Sequence, residues 1–472
     1  MAELAVHEVA TATSGRVRGD GEARIRGIVI DSRRIEGGEL FFALAGSRVD
    51  GHAYVAAALA RGAAAAVVSQ PVDAPADAVL IEVDDTYQAL HALTRSVRRR
   101  IPGKLAAITG SVGKTTTKEL LAAMLARRFR TAKSPGNLNN LYGFPIALLG
   151  IPDDTEWMVA EMGMSTPGEL GEISRLGRPD VAVYTCIRPV HLENFPDLRG
   201  IADAKAELLS GLSADGVMIA NADDPWVMRI AAEFPGRVVR YGHGPDAELR
   251  SRDVEPRGDG KIGYRFRLET EDEDGVVVEL PLHGQYNVDN ALAAAACAWQ
   301  VGVPLADIAA ALAAVEPASM RGEVHRLARL GVTVVDDSYN ANPAAVERAL
   351  ESAAALPAER RVAVLGDMLE LGDDSERFHR ETGEAAVRLG FERVIAVGPL
   401  ARSLAAAADA AGGWTHHFDD AETAASWVDR ALESHTIGSG DVVLVKGSRG
   451  IGLERVVHAC LDREQEISGE TA

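Results

Sequence analysis

The run Ile108–Thr117, ITGSVGKTTT, restricts what this chain can fold into more than any other segment. The apolar stretch Leu105–Ile108 reads as the end of a buried strand, and TTTKELLAAMLARRF after Lys114 carries apolar residues at helical spacing. A strand feeding a glycine-containing turn and then a helix aims backbone N–H groups at one point, where a triphosphate is held. Gly110, Ser111, Val112 and Gly113 form that turn, and the two glycines admit backbone angles and approaches that a Cβ would block. Lys114 can reach the β/γ-phosphates, the Thr115 hydroxyl can sit on Mg²⁺, and Thr116 follows in the first helical turn. The spacing departs from G-x-x-x-x-G-K-[ST], because position 108 is Ile and the earlier glycine stands three before Gly113.

Length and charge bound the rest. A chain of 472 residues is too long for one ordinary core and predicts about three domains. The formal net charge of −20 argues against a general nucleic-acid or anionic-membrane binder, although a local loop can still catch a phosphate. Cys186, Cys297 and Cys460 lie far apart with no C-x-x-C, which suggests neither a disulfide framework nor a zinc site. With no basic-then-apolar leader and no apolar membrane span, the expected location is the cytoplasm.

The expected fold class is α/β in three domains. Residues 1–100 alternate short strands with helices: a strand at IVI, the strand Leu40–Leu44, a helix His52–Arg61, a strand Ala64–Val68 and a helix Asp85–Arg100. The basic run RSVRRR reads as a solvated helix end or a complement to the helix dipole, and Pro102-Gly103 as a boundary. Residues 101–320 predict a mostly parallel sheet with strands near Leu105–Thr109, Met158–Met162, Val181–Thr185 and Gly216–Asn221. Alternating residues around Asp274-Gly275 add a β-hairpin whose acidic tip, 269–274, reads as a solvated turn. Residues 321–472 predict a second α/β unit with strands near Val332–Asp336, Arg361–Leu365, Val394–Val397 and Val442–Lys446, ending in a frayed tail EQEISGETA.

A phosphate loop needs metal ligands. Glu161 ends the apolar strand MVAEMG, which puts its carboxylate at the C-terminal sheet edge. His191 follows VAVYT across a loop, and Lys205 lies in the helical stretch GIADAKAELLSGL. Taken singly, each has a plain alternative: a capping Glu, a loop His, a surface Lys.

Taken together, TGSVGKTTT, NLNNLYGFPIALL, EMG, HLE, AKAEL and GQYNVDNALAA occur in the order seen in the Mur ligase family, which the chain resembles over nearly its whole length. The stretch from IVIDSRRIEGG to AAAAVV resembles the UDP-binding domain of two members of the family, those adding the third residue and the terminal dipeptide. DDSYNANP, GDMLELGDDSERFH and VKGSRG resemble the branch that adds D-alanyl-D-alanine to UDP-N-acetylmuramoyl-tripeptide. The resemblance implies an N-terminal UDP-substrate domain, a central ATP-binding domain, a C-terminal domain for the incoming dipeptide, and a monomer. It implies an ATP-dependent amide ligase working through an acyl phosphate, with one Mg²⁺ on Thr115 and Glu161 and a second at His191. The lysine matching Lys205 is often carbamylated in the family, which turns a cation into a metal-facing carboxylate. By the same matching, Asn287 and Asn290 meet the adenine, and Arg321 and Asp337 reach the phosphates and ribose. Ser32 and Arg33 lie at the uracil and diphosphate end, and Asn137, Asn139 and Asn140 line the space between nucleotide and acceptor. Asn340, Lys446, Ser448 and Arg449 are the candidates for the dipeptide, where an Arg can clamp a carboxylate bidentately.

Two segments depart from the family pattern. Met164-Ser165-Thr166 stand where Ala-Asn-His is usual, and Cys186-Ile187-Arg188-Pro189 replace an Asn-Ile-Gly-type turn. They keep open a family member that joins a different amine or acceptor. A nucleotide switch without ligase activity is the reading from another class, but it gives no task to Glu161, His191 or the third domain.

Overall fold

The structure, a computed structural model, describes residues 4–46, 49–190, 192–258, 260–271 and 275–469. Among the described residues, three larger sheets follow one another along the chain, and a two-stranded antiparallel ribbon pairs Leu4–Ala5 with Arg24–Ile25. The first has five strands, in the order Arg16–Arg18, Leu80–Glu82, Ala65–Val68, Glu39–Phe42, Gly27–Val29, with only the first pair antiparallel. The helix Thr86–Arg100 leaves this sheet, started by Asp85, whose carboxylate accepts from the N–H groups of Tyr87 and Gln88.

The middle sheet has nine strands, in the order Val276–Leu280, Tyr264–Thr270, Leu249–Pro256, Arg237–Gly242, Val217–Asn221, Val181–Tyr184, Lys104–Thr109, Trp157–Glu161, Thr131–Lys133. Its strands are parallel from Thr131–Lys133 to Leu249–Pro256, and the expected hairpin adds two antiparallel strands at the edge. Registers of Glu161 with Ile108 and of Tyr184 with Thr109 bring the C-terminal ends of three central strands level. The loops after those strands therefore meet at one edge, the place where parallel sheets bind ligands. Behind the phosphate loop runs the helix Tyr286–Gln300, whose residues Ala291–Ala298 are 0–1% exposed. Small side chains let it lie close against both the sheet and the helix Lys114–Leu125.

The third sheet has six strands, in the order Glu323–Leu327, Val332–Asp336, Asp441–Lys446, Arg360–Gly366, Arg393–Val397, Trp414–Phe418, parallel except for the first pair. Asn342 caps the helix Pro343–Ala354 by accepting from Ala345 N–H, and the proline stands at its start, where a missing N–H costs nothing. The loop DSYNANP is thus held between a strand end and a capped helix.

Several expectations need correction. The segment expected as a helix from His52 is a 3₁₀ turn, Gly51–Tyr54, followed by the helix Val55–Ala60, because Asp50 accepts from His52 N–H and tightens the first turn. Arg98 is not a solvated helix end: it donates to the carbonyls of Gly177, Ile101, Gly103 and Arg178 and pairs with Asp180. Glu269, at the foot of the acidic hairpin tip, binds Arg250 and Arg252, while Asp272, Glu273 and Asp274 lie outside the described residues. The tail expected to fray is helical through Gly469, because Glu464 accepts from the N–H groups of Arg329 and Leu330. Among the described residues, no helix is long and apolar enough to cross a membrane, and all three cysteines are buried and free.

Candidate active site at the phosphate loop

The loop 110–113 joins strand Lys104–Thr109 to helix Lys114–Leu125 as the motif requires. Gly113 has φ +88°, and a Cβ there would stand 2.1 Å from Asn290 Oδ1. Gly110 has φ +145°, and its Cβ would stand 1.9 Å from Thr185 Oγ1. Both glycines are therefore demanded by backbone angle and by a neighbour. Gly113→Ala is expected to weaken ATP binding at least about tenfold, since left-handed strain of about 1–3 kcal/mol adds to the clash; titration with an ATP analogue checks it.

Three polar side chains meet beside the loop. Thr115 Oγ1 donates to Glu161 Oε2 at 2.7 Å, and Asn139 Nδ2 donates to Glu161 Oε1 at 2.7 Å. A hydroxyl and a carboxylate side by side are hard ligands of the kind Mg²⁺ takes, so the donor set fits the ion implied by the resemblance. Lys114 Nζ donates to Gly110 O at 2.8 Å, and Lys205 Nζ reaches the same carbonyl oxygen at 3.2 Å. Burial lowers the pKa of Lys114, partly offset by Glu161. Burial and then the charge of Lys114 push Lys205 down to about 7. Lys205 is 2% exposed and so is not the surface lysine that is its plain alternative.

A buried cation one turn further along organises the neighbouring loop. Lys118 is 0% exposed and donates to the carbonyls of Ser134 at 2.8 Å and Gly136 at 2.9 Å. That segment continues into Asn137, Asn139 and Asn140, and Asn140 Oδ1 accepts from Gly143 N–H at 2.7 Å, which starts the helix Gly143–Leu149. Lys118→Met leaves two carbonyls unpaired and is expected to cost about 2–4 kcal/mol, read as a lower Tm together with a higher Mg²⁺ requirement.

A pocket of about 290 Å³ gathers most of the expected residues. Ser111, Val112, Gly113, Lys114, Thr115, Thr116, Asn137, Asn139, Asn140, Glu161, Lys205 and Asn290 line it from the middle sheet. Arg321, Asp337, Asn340 and Lys446 line it from the third-sheet side. Asn287 lies beside it in a narrower cleft with Thr116 and Arg321, its Nδ2 bound to His283 O and its Oδ1 accepting from Asn290. Lys446 is 3% exposed, and its ammonium binds Asp337 Oδ2 at 2.7 Å and Asn340 O at 2.8 Å, which shapes the DSYN loop. Ser448 is buried and accepts from Leu369 N–H, so it does not line the pocket. Arg449 lies outside the lining too, paired with Glu454 and near the ring of Tyr339.

The remaining expected residues are elsewhere. Ser32 and Arg33 form a 3₁₀ turn on the first sheet's unit, where Arg33 is bound to Asp31 and neither lines this pocket. His191 lies outside the described residues. The sequence reading passed over Tyr339, although it stands inside DSYNANP; its ring lies 4.1 Å under the Arg321 guanidinium and so positions it. It also passed over Thr185, whose Oγ1 donates to Val112 O at 2.6 Å, because a threonine at a strand end carries no motif.

Comparison with known proteins follows this geometry. Residues 24–98 match the Mur ligase family, catalytic domain; residues 108–298 match the Mur ligase middle domain; residues 320–449 match the Mur ligase, glutamate ligase domain. A UDP-N-acetylmuramoyl-tripeptide–D-alanyl-D-alanine ligase of Bacillus subtilis is 34% identical over 438 residues, 92% of each chain. The Escherichia coli protein of the same name is 34% identical over 97% of this chain and 98% of its own. The crystal structure of MurF from Acinetobacter baumannii superposes with a TM-score of 0.86 at 30% identity, covering 98% of this chain and 99% of that one. MurF ligase from Thermotoga maritima in complex with ADP superposes with a TM-score of 0.77 at 27% identity, covering 93% and 98%. By sequence along nearly its full length and by fold, the chain belongs to the Mur ligase family.

Proposed function

We propose that the chain is an ATP-dependent amide ligase that joins D-alanyl-D-alanine to UDP-N-acetylmuramoyl-tripeptide, yielding the pentapeptide precursor of peptidoglycan with ADP and phosphate. The observation that carries the reading is one pocket lined from two sides, by the phosphate loop with Glu161 and by the DSYN loop with Lys446. Relatives that share a third of its sequence end to end bear the name of this activity. The N-terminal unit, residues 1–100, takes the UDP end of the acceptor with Ser32 and Arg33; residues 101–320 take ATP; residues 321–472 present the dipeptide.

The chemistry brings anions together, so charge must be neutralised before atoms can be aligned. Lys114 faces the β/γ-phosphates and lowers the repulsion met by the acceptor carboxylate. That carboxylate attacks the γ-phosphorus, the bond to the β,γ-bridging oxygen breaks, and ADP leaves an acyl phosphate. The free amine of the dipeptide then attacks the acyl carbon, phosphate departs, and the nitrogen loses its proton as the amide forms. Thr115 and Glu161 would hold Mg²⁺, which would supply charge neutralisation at the phosphates, and His191 and Lys205 would take a second ion. Asn139 holds Glu161 in place, and Arg321, braced on Tyr339, faces the phosphates from the other side. The environment of Lys205 supports its carbamylation: an amine whose pKa is lowered by burial and by Lys114 can add to CO₂, losing a proton, and the new carboxylate would sit favourably beside the Lys114 ammonium.

Phosphate release from ATP with UDP-N-acetylmuramoyl-tripeptide, with and without D-alanyl-D-alanine, tests the reading. Dipeptide-dependent release with a product that gains the dipeptide's mass is the expected result. Release that depends on another amine would favour the family member with a different substrate.

A further inference from the structure

The segment Cys186-Ile187-Arg188-Pro189, which departs from the family pattern, is built into the phosphate loop from outside. Ser111 N–H donates to Cys186 O at 2.8 Å. The Ser111 hydroxyl donates to Arg188 O at 2.9 Å and accepts from Arg188 N–H at 2.8 Å. The middle of the phosphate loop thus has its only side-chain hydroxyl committed twice to the backbone of residue 188. That backbone is in turn fixed by a carboxylate. Asp224 Oδ2 accepts from Ile187 N–H at 3.0 Å and from Arg188 Nη1 at 2.6 Å, while Nη1 also donates to Ile187 O at 2.7 Å. Asp224 itself is 1% exposed and locked, since its Oδ1 caps the helix Pro225–Glu233 through the N–H groups of Trp226 and Val227. The Arg188 side chain is about one-third exposed, so the pair is a partly screened one whose value is geometric more than energetic.

We propose that Arg188 is a positioning residue for the phosphate loop: by clamping residues 186–188 to Asp224, it fixes Ser111 and so sets the register in which Val112 and Gly113 present their backbone N–H groups to the triphosphate. The proposal rests on the reading that ATP binds at this loop. A loop of two glycines has little stiffness of its own, and here the neighbouring strand's loop supplies it. Arg188 therefore acts through Asp224 and Ser111 and touches no reacting atom.

Calorimetric titration of the full chain with Mg²⁺ and a non-hydrolysable ATP analogue tests this, alongside KM values for ATP and D-alanyl-D-alanine. Arg188→Ala is expected to raise the Kd for the analogue and the KM for ATP about fivefold, the scale of one charge-assisted hydrogen bond after screening. The KM for the dipeptide and the Tm stay close to wild type, and Arg188→Lys, which still reaches Asp224, recovers most of the loss. An unchanged Kd in Arg188→Ala overturns the proposal, as does a uniform rise in every KM accompanied by a fall in Tm. Wild-type protein that binds the analogue but gives no dipeptide-dependent phosphate release refutes the ligase reading alone, and the Kd ratio still decides the role of Arg188. Wild-type protein that binds no nucleotide refutes both.

Discussion

Lys114→Met is expected to lower kcat about 10³-fold, equivalent to about 4 kcal/mol of transition-state stabilisation. Methionine keeps the length and apolar packing of the stem and removes only the ammonium, so the helix Lys114–Leu125 and the turn before it keep their shape. The loss is large because the lysine is half-buried and its neighbours leave its charge only partly screened. With the carbonyls of Gly110 and Ser111 as its partners, the ammonium stays folded over the centre of the loop, where the β/γ-phosphates belong. The KM for the dipeptide should move little, since Lys114 lies on the nucleotide side. A kcat within tenfold of wild type would remove Lys114 from the charge-neutralising role.

Lys205→Ala is expected to abolish most turnover, by about 10²–10³-fold, the scale of losing one preorganised electrostatic group. If Lys205 works as a carbamate, short carboxylates such as acetate or formate should restore part of the rate by filling the space, and they should not rescue Lys114→Met. An unchanged rate, or a loss no carboxylate restores, counts against the carbamate. The same lysine makes a pH prediction. Its pKa falls from 10.5 unfolded to about 7 folded. Between those values the unfolded state binds more protons, so stability rises with pH from about 7 upward and is lowest below 7, where an ammonium must stay buried. In CO₂-free buffer, Lys205→Met should therefore raise Tm, by more at pH 6 than at pH 9. A gain that is equal at both values would mean that Lys205 titrates normally.

The sequence made parts of this site legible for definite reasons. Lys114, Thr115 and Glu161 could be found because strand–turn–helix and strand-end positions tie a residue type to a place. The meeting of Thr115 with Glu161 at 2.7 Å follows from the register of Trp157–Glu161 on Lys104–Thr109, which no local pattern encodes. Strands such as Trp414–Phe418 and Glu323–Leu327 are not legible in the sequence because they are edge strands with mixed exposure, so the apolar run that marks a central strand is missing. The basic end of Thr86–Arg100 reads as solvated because charge runs usually are, yet Arg98 finds four carbonyls, two just past its own helix and two, on Gly177 and Arg178, brought to it by the fold.

What the sequence determined by itself is local: the phosphate-loop turn, the helices with Asp85, Asp224 and Asn342 as caps, and the order of motifs along the chain. Each depends on residues within a few positions of one another, where backbone angles and side-chain hydrogen bonds decide the outcome. Only the tertiary structure decided which charges face each other. Lys205 lies 95 positions from Gly110, and its lowered pKa comes from burial beside Lys114, a property of packing that composition does not carry. The same holds for Lys446, a candidate for the dipeptide by sequence, which the fold commits across 109 positions to Asp337. Long-range burial turns an ordinary lysine into either a reactive amine or a fixed brace, because a charge removed from water must find a partner or lose its proton.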